Sequence, residues 1–363
     1  MIDVIGDDSL AASPIMRRPR VNFKHLRRRL ESDGSLSQKL FRVTAYYLRL
    51  INYAARTDSR LIHIQWPYKL VFLDRTVLNV YYKALGKKIV FTAHNVDQGA
   101  RDGAHLWRNR SSLLFLYKIV DHVIVHTNKM KRDLANGFGI SESKVSVIPH
   151  GVNCAVPESA VTREEARRVL RLPDGKRALL FFGLISPYKG LEYLITALAR
   201  LRREKQEVSL VVAGRIKECE PYWHEVCRSI QCEGLSNDVM IHTKHIPDES
   251  VEIYFKAADV LIMPYRNIFQ SGVLFLAYRF GLPVIATDVG SLREDVIEGK
   301  TGHICKPEDP DDLAKTIGRY FASDLFKDLE NRRQQIRDYA HQRYSWSRIG
   351  EMTRKVYEKV MKE

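Results

Sequence analysis

Two short stretches place a lysine and several glycines where apolar runs give way to helical patterns. In "FFGLISPYKGLEYLI" (Phe181–Ile195) a buried run breaks at Gly183, and a helix restarts after Lys189-Gly190. In "NIFQSGVLFLAYRFGLPVIATD" the residues Gln270-Ser271-Gly272 precede a second helical pattern, Val273–Phe280. A helix N-terminus presents unpaired N–H groups and about half a unit of positive charge. With Gly272 allowing close approach and Lys189 adding an ammonium, the pair can cradle a phosphate. Each stretch alone reads as well as a solvated loop lysine or a turn glycine. Only their convergence in one fold favours a nucleotide-type ligand.

The elements around these residues are strands and helices in alternation. The first half carries the runs "LIHIQW" (Leu61–Trp66), "KIVFTAHN" (Lys88–Asn95), "HVIVHT" (His122–Thr127) and "KVSVIPHGVN" (Lys144–Asn153). The second half carries "ALLFFG" (Ala178–Gly183), "VSLVVAG" (Val208–Gly214), "DVMIHT" (Asp238–Thr243), "ADVLIMPY" (Ala258–Tyr265) and "PVIATD" (Pro283–Asp288). Such continuous, Val- and Ile-rich runs fit strands buried on both faces of a parallel sheet. Leu191, Leu194, Ile195, Leu198 and Leu201 then follow the spacing of one helix face. Two doubly wound α/β halves are expected, with loops at the carboxyl ends of the strands holding the ligand. The expected domains are residues 1–153, residues 154–340, and a C-terminal amphipathic helix over 341–363 that returns toward the first domain.

Bulk numbers agree with two domains and exclude several classes. The chain has 363 residues, 45% hydrophobic and 28% charged, as in soluble globular proteins. No apolar run approaches the roughly 20 residues that span a bilayer, and the N-terminus is no signal peptide. Five cysteines without CxxC spacing predict a reduced, cytoplasmic setting with neither disulfides nor a zinc site. Charge is uneven: residues 1–150 hold 25 Lys+Arg against 12 Asp+Glu, whereas the remainder is nearly neutral. A basic half of this kind fits an acidic membrane surface, a nucleic acid or a merely soluble face. No nucleic-acid-binding motif accompanies the charge, so nucleic acid is not an expected partner.

The ordered set "VIPHGVN", "FFGLISPYKGLEYLI", "LVVAGR", "HIPDESVEIYFKAADVLIMPY", "GLPVIATDVGSLREDVIEGKTG" and "DPDDLAKTI" resembles the C-terminal domain of the retaining, nucleotide-sugar glycosyltransferases of family 4. "VFTAHN" and "HVIVHTNKMKRDL" are similar to that family's acceptor domain. The resemblance covers roughly residues 60–360. It implies a GT-B fold, two Rossmann-like doubly wound domains facing across a cleft. It also implies a UDP- or GDP-sugar donor in the second domain, a glycan or lipid-linked acceptor in the first, and no metal or other cofactor. Lys189 matches the lysine that contacts the diphosphate, and Ser271, Gly272 and Val273 match its backbone donors beside Gly183. His94 matches a histidine that approaches the donor sugar. Glu294 matches a glutamate that borders the nucleotide, a surface turn residue being the alternative.

The match breaks at three places. Leu184 stands where the family has an arginine; Arg215 and Arg266 could substitute, or be ordinary loop arginines. Of two family glutamates, the second falls at Leu276 and the first at Ile268, or at Gln270 with a one-residue slip. Gln270 can still hydrogen-bond sugar hydroxyls, since an amide donates and accepts. "MIDVIGDD" resembles the family's second strand, so the first domain is expected to lack its opening βα unit, leaving unpaired strand edges and an uncovered apolar face. The basic segments Arg17–Leu30 and Gln38–Arg60 have near-helical apolar spacing. They read equally as helices on an anionic bilayer, peripheral on the inner face of the plasma membrane, or as helices covering the sheet. The leading expectation is a polysaccharide- or glycolipid-building transferase. The alternative is a catalytically silent nucleotide-sugar binder of the same fold.

Overall fold

The computed structural model describes residues 1–11, 13–27, 35–96, 107–152, 156–217 and 219–363. Contacts divide the chain into two compact units. One comprises Met1–Thr92, His105–Val123 and Tyr357–Glu363; the other comprises Ala93–Ala104 and Ile124–Val356.

Among the described residues of the first 150, the strands are β1 (Ile2–Val4), β2 (Val21–Phe23), β3 (Leu61–Ile64), β4 (Lys88–Thr92), β5 (His122–Val125) and β6 (Val145–Val147). β1 pairs in parallel with β2 as a separate ribbon, and the other four form a sheet in the order β3-β4-β5-β6. Among the described residues neither β1 nor β3 has a second strand partner. The basic stretch from Arg17 departs from the helical expectation. It forms β2 instead, and residues 28–30 lie outside the described set. Val21 and Phe23 alternate across a strand, and Pro19 keeps Arg18 out of the helical region. The second basic stretch is helical over Leu36–Arg56, started by a capping box between Ser35 and Gln38.

The second half holds β7 (Arg177–Phe182), β8 (Val208–Ala213), β9 (Val239–His242), β10 (Val260–Met263), β11 (Val284–Thr287) and β12 (Gly302–Cys305). They form one parallel sheet in the order β12-β11-β10-β7-β8-β9. All six residues of β8 and all four of β10 and β11 are buried, as continuous apolar runs require. β12, "GHIC", escapes the sequence pattern because it is short and has one β-branched residue. From β7 the chain proceeds through β8 to β9 on one side, then crosses back to β10 and onward to β12. The order therefore reverses between β7 and β10, and the crevice outside their carboxyl ends is where such sheets bind ligands.

Candidate functional site

Glycine backbone sets the shape of the β7–β10 crevice. Gly183 leaves β7 at φ 102°, and its amide donates to the Ala213 carbonyl at 2.9 Å. A Cβ on Gly214 would lie 1.8 Å from the Gly183 oxygen, so these two loop backbones touch directly. The short turn Pro187–Lys189 ends at Gly190, whose φ of 66° is left-handed. A Cβ there would lie 2.1 Å from the Pro264 oxygen at the exit of β10. The Arg266 amide donates to the Tyr188 carbonyl at 2.9 Å, tying the same two loops together.

This turn folds Lys189 inward. The residue is 5% exposed, and its Nζ sits 4.9 Å from the centre of the Tyr265 ring. Among the described residues no carboxylate reaches ion-pair distance of that ammonium. An ammonium without a counter-ion is costly to bury, and a bound anion would remove the cost. The Gly272–Arg279 helix starts alongside. Ser271 precedes it without capping it through its side chain, and the space around Gly272 is open, with no heavy atom within 4 Å of a Cβ placed there. A Cβ on Gly183 would meet Lys189 Nζ at 3.0 Å and Val273 Cγ2 at 3.5 Å. Gly183, Lys189 and the first turn of this helix thus converge on one spot, where an ammonium and uncapped amides can share an anion.

The other expected residues are placed differently. Arg215 is exposed, and only its carbonyl is tied down, accepting from the Ile185 amide at 2.9 Å. The Arg266 guanidinium pairs with Glu308 at 3.3 Å and lies 3.9 Å from Glu192. Gln270 is half-buried, with its amide nitrogen enclosed and without a hydrogen bond, beside Asp295. Burial pushes the Asp295 carboxyl up to about 7, against an opposing hydrogen bond from Tyr344 at 3.2 Å. The Glu294 carboxylate accepts from the Asn128 and Lys129 amides at 2.8 and 2.6 Å, and Arg132 lies at 3.4 Å. It therefore caps the Asn128–Phe138 helix, a favourable seat for an anion.

His94 follows β4, and its Nδ1 lies 2.9 Å from His126 Nε2. His126 Nδ1 in turn faces the Ile148 carbonyl at 2.9 Å. The His126 and His150 rings meet edge to face at 5.6 Å, and His150 stacks on Phe275 at 5.7 Å. Phe275 belongs to the Gly272–Arg279 helix, so a line of four rings joins that helix to His94. His126 escapes the sequence reading. Its signal was the recurrence of a histidine just past each of β4, β5 and β6, in "TAH", "VHT" and "IPH".

Residues 162–343 match the family described as Glycosyl transferases group 1, and residues 11–156 match Glycosyltransferase Family 4. The chain belongs to the group 1 glycosyl transferases. It is 29% identical over 245 residues to a D-inositol 3-phosphate glycosyltransferase of Corynebacterium jeikeium, covering 66% of this chain and 58% of that one. An uncharacterized glycosyltransferase of Methanocaldococcus jannaschii is 27% identical over 246 residues, covering 66% of this chain and 60% of the relative. The chain thus spans less than two thirds of the length of these curated relatives. Among solved structures, Anabaena HepE superimposes with a TM-score of 0.74 at 18% identity, over 96% of this chain and 88% of that one. The likeness establishes the GT-B fold, an α/β arrangement with parallel sheets in two Rossmann-like domains. Within this group 1 chain, two of the positions that depart from the family pattern join the apolar packing, while Leu184 is half-buried outside that cluster. Leu276 is 7% and Ile268 8% exposed, both in the core of the second half.

Proposed function

We propose that this chain is a retaining glycosyltransferase that uses a UDP- or GDP-sugar as donor and needs no metal. Residues 154–340 hold the donor, and residues 1–153 hold a glycan or lipid-linked acceptor of cell-surface polysaccharide or glycolipid synthesis. The observation that carries this reading is the largely buried Lys189, whose ammonium meets no carboxylate among the described residues, beside the uncapped helix start at Ser271-Gly272-Val273. As the bond from the sugar to the diphosphate breaks, negative charge grows on the departing oxygens. Fixed donors aimed at that charge lower the barrier without reorganising. HepE was solved with UDP, and with UDP and glucose, which supports a donor of this class. His94 meets the sugar, Gln270 supports its hydroxyls, and Arg215 is the exposed cation available to the diphosphate. Arg266 and Glu294 border the nucleotide while holding the ion pairs and helix cap described above.

A panel of UDP-, GDP- and ADP-sugars in a thermal-shift assay tests the donor. A selective rise in melting temperature with one base is the expected result, since a ligand at 100 times its Kd adds about 2.7 kcal/mol. No rise with any of them overturns the reading. Arg266 and Glu294, each engaged with protein groups, favour a second reading, a binder without turnover. Affinity for the donor with neither transfer nor hydrolysis would decide for it.

We also propose that the first domain rests on an anionic membrane, on the cytoplasmic side. No described helix is long and apolar enough to cross a bilayer. The Leu36–Arg56 helix nevertheless exposes Leu36, Leu40, Phe41 and Leu48 together with Lys39 and Arg56. Apolar side chains flanked by cations suit an interfacial helix. Flotation with phosphatidylglycerol vesicles is expected for the full chain and lost in a Leu40→Glu, Phe41→Glu variant. Equal flotation of both would remove this part.

A further inference from the structure

We propose that Asp295 is a positioning residue for Gln270: its buried carboxylate takes the Gln270 NH2 group and so turns the amide carbonyl outward, next to Ser271-Gly272. Asp295 ends the short Leu292–Asp295 helix and is 4% exposed. Its Oδ1 accepts from the Tyr344 hydroxyl at 3.2 Å, whereas its Oδ2 is enclosed and has no hydrogen bond. Gln270 approaches the same carboxyl closely enough to oppose its upward shift, and Gln270 Nε2 is likewise enclosed and unbonded. An NH2 group can only donate and an ionised carboxylate oxygen can only accept, so each supplies what the other lacks. Burying a donor and an acceptor unpaired is costly, and closing the pair removes both costs.

The surroundings make Asp295 the fixed member. Its carbonyl accepts from the Tyr278 hydroxyl at 3.0 Å, and the Tyr344 ring meets Phe275 edge to face at 4.8 Å. Gly290, at φ 57°, clamps the two loops together: a Cβ there would lie 1.8 Å from the Ile268 oxygen, and the Ser291 amide donates to the Phe269 carbonyl at 3.2 Å. Gln270 comes next and leads into the helix start. An amide carries its NH2 and its oxygen on opposite sides of one planar group, so holding the first inward aims the second away from the core. What that oxygen meets rests on the glycosyltransferase reading above: it accepts from a hydroxyl of the donor sugar. The pair is also proton-linked, because burial pushes the Asp295 carboxyl up to about 7. The other titratable or charged groups facing it are Tyr344, Tyr339 at 3.4 Å behind that hydroxyl, Arg343, Tyr278 and the adjacent Glu294. Once protonated, the carboxyl donates to the amide oxygen instead, and the amide reverses.

Carbon-detected titration of the 13C-labelled full chain tests the pairing without any ligand. The Asp295 carboxyl is assigned by comparison with Asp295→Asn. Its midpoint is expected near 7 in the wild type and higher in Gln270→Leu, where the ionised form loses a donor. An unmoved or lowered midpoint overturns the proposal. Turnover is followed as hydrolysis of UDP-glucose, or of whichever nucleotide sugar raises the melting temperature. In the wild type kcat/KM is expected to rise with pH through the same midpoint, as the carboxylate forms. Asp295→Leu and Gln270→Leu are each expected to lower kcat/KM about tenfold, the size of one misdirected hydrogen bond, and the double variant to lower it no further. Losses that multiply in the double variant show two independent residues and overturn the positioning role. Asp295→Asn, whose Oδ1 still accepts, is expected to keep most of the activity and lose the pH dependence; if Asp295→Leu does not fold, a pH profile unchanged in Asp295→Asn overturns the role instead. A shifted midpoint with turnover insensitive to either residue keeps the pairing and removes Gln270 from the donor sugar. If the wild type turns over no nucleotide sugar, the glycosyltransferase reading fails, and the titration still decides the pairing.

Discussion

Lys189→Met is expected to lower kcat/KM by about 10²–10³-fold, the loss usual for one donor aimed at a developing anion, while the protein melts at the same temperature or higher. The two effects have opposite signs because one feature causes both. The lysine is 5% exposed with its ammonium over the Tyr265 ring and no described carboxylate beside it, so the ligand-free fold holds that charge without a described counter-ion. Methionine has similar length and an adaptable apolar chain, and fills the same space without that cost. Sites that spend stability on function behave this way. The same variant should lose its melting-temperature rise with the matching nucleotide. Wild-type turnover in Lys189→Met would show that the diphosphate sits elsewhere. A collapse in melting temperature would show that the lysine serves packing.

Gly190→Ala is expected to have the largest effect on stability. Its φ of 66° costs an alanine roughly 1–2 kcal/mol before any contact is counted. The added methyl would then lie 2.1 Å from the Pro264 oxygen. That oxygen cannot retreat easily, because the Arg266 amide bonded to Tyr188 pins its loop to the same turn. A total near 3 kcal/mol corresponds to a fall of roughly 6–12 °C for a unit of this size. Gly272→Ala is the control, since nothing stands within 4 Å of its added methyl, and it should melt close to the wild type. Thermal melts followed by circular dichroism measure both. If Gly190→Ala unfolds with the wild type, the close approach of the two loops is not a feature of the folded protein.

The sheet of the second half was legible because its strands are buried on both faces, which leaves unbroken Val, Ile and Leu runs in "VSLVVA" and "VLIM". β2 and β12 were not, being three and four residues long with little β-branched sequence to mark them. For the site, the motifs located Lys189 and Gly272 but could not say that they meet. Their approach depends on strand order, on β7 lying next to β10 with more than 70 residues between them in the chain. Partners of charged groups were the least legible. Nothing near Glu294 in sequence announces that it caps a helix beginning at Asn128. Likewise, no spacing rule pairs Arg266 with Glu308. Long side chains choose partners by position in space, and a single sequence records only their presence. His126 lies between the two cases, visible as a repeated histidine at successive strand ends, while its contact with His94 shows only in the fold.

The touching backbones of Gly183 and Gly214 bear on how this protein could be re-engineered. Where main chain meets main chain, no substitution can enlarge, shrink or recharge the surface, so this part of the cradle is closed to incremental change. On the proposed nucleotide-sugar reading, selectivity among bases and sugars has to reside in side chains at the rim. A library aimed at new donors should leave these glycines untouched and vary positions such as Arg215, which is exposed and has room to vary.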